Sequence, residues 1–236
     1  MSTAGSKVLV VGATGAVGGA LAGVLHGRGA RLAAAGRDAG RLAERARGWG
    51  DCPARVFDAY DVDGCAALAG WAWEALSGLD AVVTAVGTVA FGRSEDTSDE
   101  VLEHLVAVNA LAPIAVLRAA LPLLPEGGAV AAVTGVVAER PMPGAADYSA
   151  SKAALSAWLT AVRREQRRRG VHVLDARLPH MDTGFADRAV AGSPPPMPPG
   201  ADLGAAVRAV VDALASGAAV VRPGAGGSLV TETRER

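Results

Sequence analysis

Residues 8–18 read Val-Leu-Val-Val-Gly-Ala-Thr-Gly-Ala-Val-Gly, and this stretch narrows the choice of fold more than any other. The four apolar residues suit a strand covered on both faces. The glycines suit a tight turn, and the residues from Ala16 onward suit a helix. Gly12 permits the turn, Gly15 lets main chain approach a ligand closely, and Gly18 lets the helix lie against the strand. A helix beginning here directs free N–H groups and the positive end of its dipole over the turn, which favours phosphate. The turn, with Thr14 and Val17 between its glycines, is therefore a candidate dinucleotide site. The plainer alternative is a tight strand-to-helix turn with no ligand.

The rest of the chain repeats this rhythm. Short Val/Ala/Leu runs at 8–11, 32–35, 55–57, 81–85, 129–133, 171–176 and 219–221 read as strands. Most lack polar alternation, as expected of strands buried on both faces. Helical stretches lie between them at 16–28, 39–49, 64–76, 99–124 (broken at Pro113), 145–169 and 201–214. This alternation predicts one α/β domain over 1–236, a doubly wound parallel sheet of about seven strands with helices on both faces. The proline run at 193–200 cannot be regular structure, because proline lacks the N–H donor. It is either a stiff connector or part of a substrate loop over 178–200. The glycine-rich, then charged segment 224–236 is expected to be a flexible tail.

Bulk properties exclude several classes of function. The net charge of −1 offers no field for nucleic acid or an anionic membrane surface. No window approaches 18 uninterrupted apolar residues, so no membrane helix is expected. Cys52 and Cys65 have neither metal-ligand nor CxxC spacing, so neither a metal site nor a disulfide framework is expected. A cytoplasmic protein is the resulting expectation.

Cofactor preference is read at the end of the second strand, where an acidic residue would take the ribose 2′-hydroxyl of NAD. This chain has Gly36, Arg37 and Asp38 there. Gly36 has no carboxylate, and Arg37 could pair with a 2′-phosphate. NADP(H) is the preferred expectation, with NAD(H) possible. Farther on, Tyr148 and Lys152 stand four residues apart in a helical stretch and so share a face. The chain has only two tyrosines and two lysines. An ammonium beside a phenol favours phenolate and would lower the phenol pKa toward neutrality. Such a phenol can give a proton to a carbonyl oxygen or take one from an alcohol.

With Asp61, Val62, Asn109, Pro179 and Thr183 added, the order and spacing of these residues resemble the short-chain dehydrogenase/reductases. The likeness runs from about Lys7 to Pro223 and is tightest over residues 146–155. It implies a seven-stranded Rossmann sheet, hydride transfer between NAD(P) and a carbonyl or alcohol, and often a dimer or tetramer. By this resemblance Asp61 would meet the adenine amine and Val62 its ring. Gly87, Pro179 and Thr183 would line the nicotinamide side, Lys152 would also hold ribose hydroxyls, and Asn109 would hold a water leading from Lys152.

The departures from the family pattern are equally specific. The family's catalytic serine position is Gly135 here. Loss of such a donor costs on the order of 100- to 1,000-fold in rate at an oxyanion-type site. Thr134 carries a hydroxyl one residue early, on a strand end that should face elsewhere. His180, following Pro179 where the family has glycine, is the other candidate replacement. Residues 84–87 are Thr-Ala-Val-Gly, and the spacing of the first glycine turn resembles the family's extended and atypical branches. An NADP-binding sensor and an epimerase-like enzyme therefore stand as alternatives to a carbonyl reductase or alcohol dehydrogenase.

Overall fold

The computed structural model describes residues 2–233. Strand β1 (Lys7–Val11) leads into helix α1 (Ala16–Gly27), and then β2 (Arg31–Gly36), α2 (Ala39–Gly48), β3 (Ala54–Val56), α3 (Val62–Leu76) and β4 (Ala81–Thr84) follow. One long helical rod comprises α4 (Asp99–Val106), a π turn (Ala107–Leu111) and α5 (Ala112–Ala120). The chain continues through β5 (Ala129–Val133), α6 (Ala146–Gln166), β6 (His172–Ala176), α7 (Leu203–Ser216), β7 (Val220–Pro223) and β8 (Leu229–Glu232). The strands form a single sheet in the order β3-β2-β1-β4-β5-β6-β7-β8. All neighbours are parallel except β7 and β8. This is a doubly wound Rossmann-type fold.

Side-chain parity explains why near-continuous apolar strands suit it. In β1, Val8 and Val10 face a layer containing Leu21 and Leu25 of α1 and Val207, Val210 and Leu214 of α7. Leu9 and Val11 face the opposite layer, with Leu68 of α3, Val116 of α5, and Leu155 and Leu159 of α6. Neither face of β1 meets water, so both parities are apolar. The chain reverses its direction of winding between β1 and β4, which opens a crevice at the C-terminal ends of those strands, where the glycine turn lies.

Two expectations are corrected. Residues 224–233 do not form a free tail, for β8 pairs antiparallel with β7, from Pro223 opposite Leu229 to Val220 opposite Glu232. Gly226 and Gly227, at φ of 82° and 83°, make the reversal, and the Gly224 N–H donates to the Ser228 carbonyl at 2.8 Å. Arg222 closes the pair on Glu232 at 2.6 Å. Residues 234–236 of the expected tail lie outside the described residues. The sheet thus has eight strands. Pro113 does not break the long helix either. It sits in the first turn of α5, where its missing N–H costs little, and the irregularity is the π turn just before it. The segment Asp99–Leu123 is long and apolar enough to cross a membrane, yet most of its apolar window is buried against the fold, as in a core helix. Cys52 and Cys65 are both free thiols.

Candidate active site

The glycine turn is built from main chain alone. The Gly12 and Ala13 N–H groups both donate to the Ala35 carbonyl, and the Gly15 N–H donates to that of Gly12. Gly12 has φ of 89°, and a Cβ there would lie 2.6 Å from the Ala85 carbonyl oxygen. A Cβ at Gly18 would lie 2.2 Å from the Gly12 oxygen, so helix and turn touch backbone to backbone. No side chain caps α1, and its first turn carries no acid. The first turn of α1 therefore presents unobstructed N–H groups above the glycine turn, a cradle of the right chemistry for a pyrophosphate.

The neighbouring loops explain which charges stand beside it. A Cβ at Gly36 would come within 2.5 Å of the Thr14 methyl, so Thr14 fills the space a longer side chain would need. Asp38 caps α2, its carboxylate accepting from the Arg41 N–H at 2.9 Å. Arg37 is exposed and has no ion-pair partner among the described residues. Asp61 likewise caps α3, accepting from the Gly64 N–H at 2.8 Å, and Val62 beside it is 39% exposed.

Across the crevice, Lys152 is 3% exposed and donates to the carbonyls of Val133 and Val86 at 3.2 and 3.3 Å. Gly87 makes room for it, since a Cβ there would lie 3.1 Å from the ammonium and 3.4 Å from the Asn109 amide oxygen. Burial pushes the Lys152 ammonium down to about 8, and the carboxylate of Asp175 works against that fall. Tyr148, one turn earlier on α6, keeps its hydroxyl without a hydrogen-bond partner among the described residues. Burial pushes its phenol pKa up rather than down. The expected depression by Lys152 is absent because that ammonium turns to two carbonyls and not to the phenol oxygen. Tyr148 is accordingly a neutral proton donor in this state.

Asn109 is fully buried in the π turn. It donates both amide hydrogens to protein, to the Thr88 carbonyl at 3.0 Å and the Ser151 hydroxyl at 2.9 Å, and accepts from the Thr88 N–H at 2.8 Å. Its side chain thus pins the loop after β4 to α6. Thr134 does not take the place of the missing serine. Its hydroxyl is buried and donates to the Asp175 carboxylate. Gly135 has φ of 98°, a conformation in which a serine would be strained, so the backbone itself departs here. His180 pairs with Asp182 at 3.1 Å, and Pro179 before it is half-buried. Thr183, also half-buried, closes a tight turn onto Met181.

Three loops meet above Tyr148. Phe91 and Val190 donate main-chain bonds to Ala191 and Val89 at 2.9 and 2.8 Å, and Gly92 donates to Gly144 at 2.8 Å. Val89, Phe91 and Ala145 are buried in this cap, with Met142, Tyr148, Phe185 and Ala189 packed against them. The Phe185 ring lies 6.3 Å from that of Tyr148, centroid to centroid. The prolines of 193–200 mostly face solvent instead, tied back where Asp182 accepts from the Gly200 N–H at 3.0 Å. Two open hollows of about 450 Å³ lie elsewhere, one beside Arg163, Arg167 and His172, the other beside Asp80 and Glu126. Neither is lined by the glycine turn or by Tyr148. Ser151 and Asp175 were not singled out from the sequence, whereas Phe185 was, as an apolar residue of the expected substrate loop. Asp175 had a signal, being the lone carboxylate of a strand whose other residues, His172 apart, are apolar.

A model of the short chain dehydrogenase family matches residues 6–193. The chain belongs to that family. It is 28% identical over 193 residues to the mouse protein named dehydrogenase/reductase SDR family member 7B, a match covering 78% of this chain and 60% of that one. The chain thus spans about three fifths of the length of that curated relative. A crystal structure of a dehydrogenase/reductase from Sinorhizobium meliloti 1021 is 26% identical, with 90% of each chain covered and a TM-score of 0.75. A short chain dehydrogenase from Burkholderia cenocepacia J2315, solved in complex with NADP, shares the fold at 24% identity and a TM-score of 0.79, covering 91% of this chain and 92% of that one.

Proposed function

We propose that this chain is an NADP(H)-dependent oxidoreductase that interconverts a carbonyl and an alcohol, with Tyr148 as its acid/base. The observation that carries this reading is the Tyr148 hydroxyl, unpartnered among the described residues, beside an apolar cap and one helical turn from the buried Lys152 ammonium. Gly12, Thr14, Gly15, Val17 and Gly18 would hold the pyrophosphate, Asp61 and Val62 the adenine, and Gly87, Lys152, Pro179 and Thr183 the nicotinamide half. The fit rests on the cradle, which any Cβ at Gly12 or Gly18 would fill. Preference for NADP(H) over NAD(H) is supported by Arg37, exposed and unpaired among the described residues, by Gly36 closed off by Thr14, and by Asp38 occupied as a cap. The NADP in the Burkholderia neighbour agrees with it.

When bound, the cofactor supplies or accepts the hydride. Tyr148, held neutral by burial, gives its proton to the carbonyl oxygen during reduction and takes it back during oxidation. Lys152 contributes positive charge near the phenolate that remains. Val89, Phe91 and Phe185 put apolar surface beside Tyr148 and offer no charge to a substrate, so the substrate class is a small apolar carbonyl or secondary alcohol. A cytoplasmic homo-oligomer completes the reading, with Leu102 and Leu111, 37% and 48% exposed on the long helix, as the contact face. The test is consumption of NADPH with a panel of apolar aldehydes and ketones. Turnover that disappears in Tyr148→Phe supports the proposal, and turnover that persists there refutes it.

One observation favours a second reading. With Thr134 diverted to Asp175 and Gly135 at positive φ, the substrate oxygen lacks a second donor. An NADP(H)-binding sensor with little catalysis would bind NADPH at micromolar concentration and consume none across the same panel.

A further inference from the structure

Beneath the Tyr148–Lys152 pair lies a charge that the reaction above does not use. Asp175 is fully buried in β6, opposite Ala132 of β5 and Val220 of β7. A carboxylate there is costly unless other charges and hydrogen bonds answer it. Three donors do so, namely the hydroxyl of Thr134, that of Ser156 at 2.6 Å and the Arg177 guanidinium at 2.8 Å. Two of these donors flank Lys152. Ser156 lies one turn beyond it on the same face of α6. Thr134 follows Val133, whose carbonyl takes the Lys152 ammonium. Arg177, by contrast, is shared outward. It meets Glu139 at 3.7 Å, and Glu139 meets Arg222, which in turn holds Glu232 on β8. Among the described residues the charged group that acts on Lys152 is Asp175 on β6, without direct contact, with Arg177 and Glu139 behind it and Tyr148 one turn earlier on α6.

We propose that Asp175 is the counter-ion of Lys152 and a positioning residue of the hydride-transfer site, its carboxylate fixed by Thr134, Ser156 and Arg177 beneath the ammonium. The pairing belongs to the protein without cofactor, and only its catalytic consequence rests on the function proposed above. The direction of the electrostatics agrees, since Asp175 supports the charge on Lys152 against burial.

The chain has two lysines, so lysine labelled at Nζ gives two signals, with Lys7→Arg assigning them. Removing an opposite charge moves a pKa by about one unit or more, so Asp175→Asn is expected to lower the Lys152 midpoint correspondingly, roughly a 10-fold loss of proton affinity. A midpoint that stays or rises overturns the proposal. Should Asp175→Asn not fold, the wild-type protein labelled at aspartate Cγ decides. The Asp175 signal is expected to inflect at the Lys152 midpoint, and a flat trace there overturns the pairing. Because both readings are taken on the apo protein, a chain with no turnover would defeat the proposed function and leave this test intact. Where turnover exists, Asp175→Asn is expected to displace the alkaline limb of the pH profile, whereas a purely structural role would lower the rate at every pH.

Discussion

Two alanine substitutions five residues apart on α1 separate the physics of the turn from the physics of the helix. At Gly23 an added Cβ meets nothing within 4 Å, and the residue is exposed in the helix interior. Gly23→Ala should therefore gain the helix-propensity difference, about 0.5–1 kcal/mol. At Gly18 the same methyl would lie 2.2 Å from the Gly12 oxygen and 2.7 Å from its carbonyl carbon. Neither atom can turn aside, so α1, anchored in the core by Leu21 and Leu25, must back away from β1. Overpacking of that kind costs about 1–3 kcal/mol, which exceeds the propensity gain. For a chain of this size one kcal/mol moves Tm by roughly 2–4 °C. Gly23→Ala should accordingly melt a few degrees above wild type and Gly18→Ala below it, by differential scanning fluorimetry. NADPH titration by intrinsic fluorescence should show binding unchanged in Gly23→Ala and lost in Gly18→Ala, because the N–H groups of α1 no longer meet the turn. Equal melting temperatures, or wild-type affinity in Gly18→Ala, would refute the argument that backbone contact fixes this glycine.

Three further outcomes are expected. Lys152 has a folded pKa of about 8 against an ordinary 10.5, so the unfolded chain holds more protons between those values. Stability should be flat below pH 8 and rise above it, by the order of 2 kcal/mol toward pH 10, where ionisation of unfolded Tyr148 begins to oppose it. Urea unfolding of wild type minus Lys152→Met should show this rise, and a flat difference would count against a buried ammonium. Arg37→Ala should weaken NADPH binding about 10-fold or more and leave NADH binding nearly unchanged, which isothermal calorimetry can separate. Leu159→Ala, removing a fully buried side chain between α6 and the sheet, should cost about 2–5 kcal/mol in chemical denaturation and leave the cofactor site in place.

Much of this molecule was legible before its structure. The first seven strands stood out because most carry apolar residues on both parities, and Val8–Val11 is the plainest instance. Tyr148 and Lys152 could be placed on one face by spacing alone. What spacing could not convey is where the Lys152 ammonium points. It turns to the Val86 and Val133 carbonyls, and with it the expected fall in the Tyr148 pKa becomes a rise. The Thr134 hydroxyl is taken up by Asp175, which went unread because one aspartate barely interrupts a mostly apolar run. Strand β8 was missed for a similar reason, since four residues after a glycine-rich turn are too few to show alternation, and the strand exists only against β7 and Arg222. Pro113 drew attention to the right helix but the wrong residue. Proline fits a first turn, and the extra residue is absorbed in the π turn that holds Asn109.

The central claim is that Tyr148 and Lys152 face the reacting end of a nicotinamide held over the glycine turn. A crystal structure with NADP+ measures this directly. The expected result has the pyrophosphate on the N–H groups of residues 16–18, the Lys152 ammonium at the nicotinamide ribose, and the Tyr148 hydroxyl beside C4 of the ring. Density for the nucleotide elsewhere, or a Tyr148 ring directed away from C4, would contradict it.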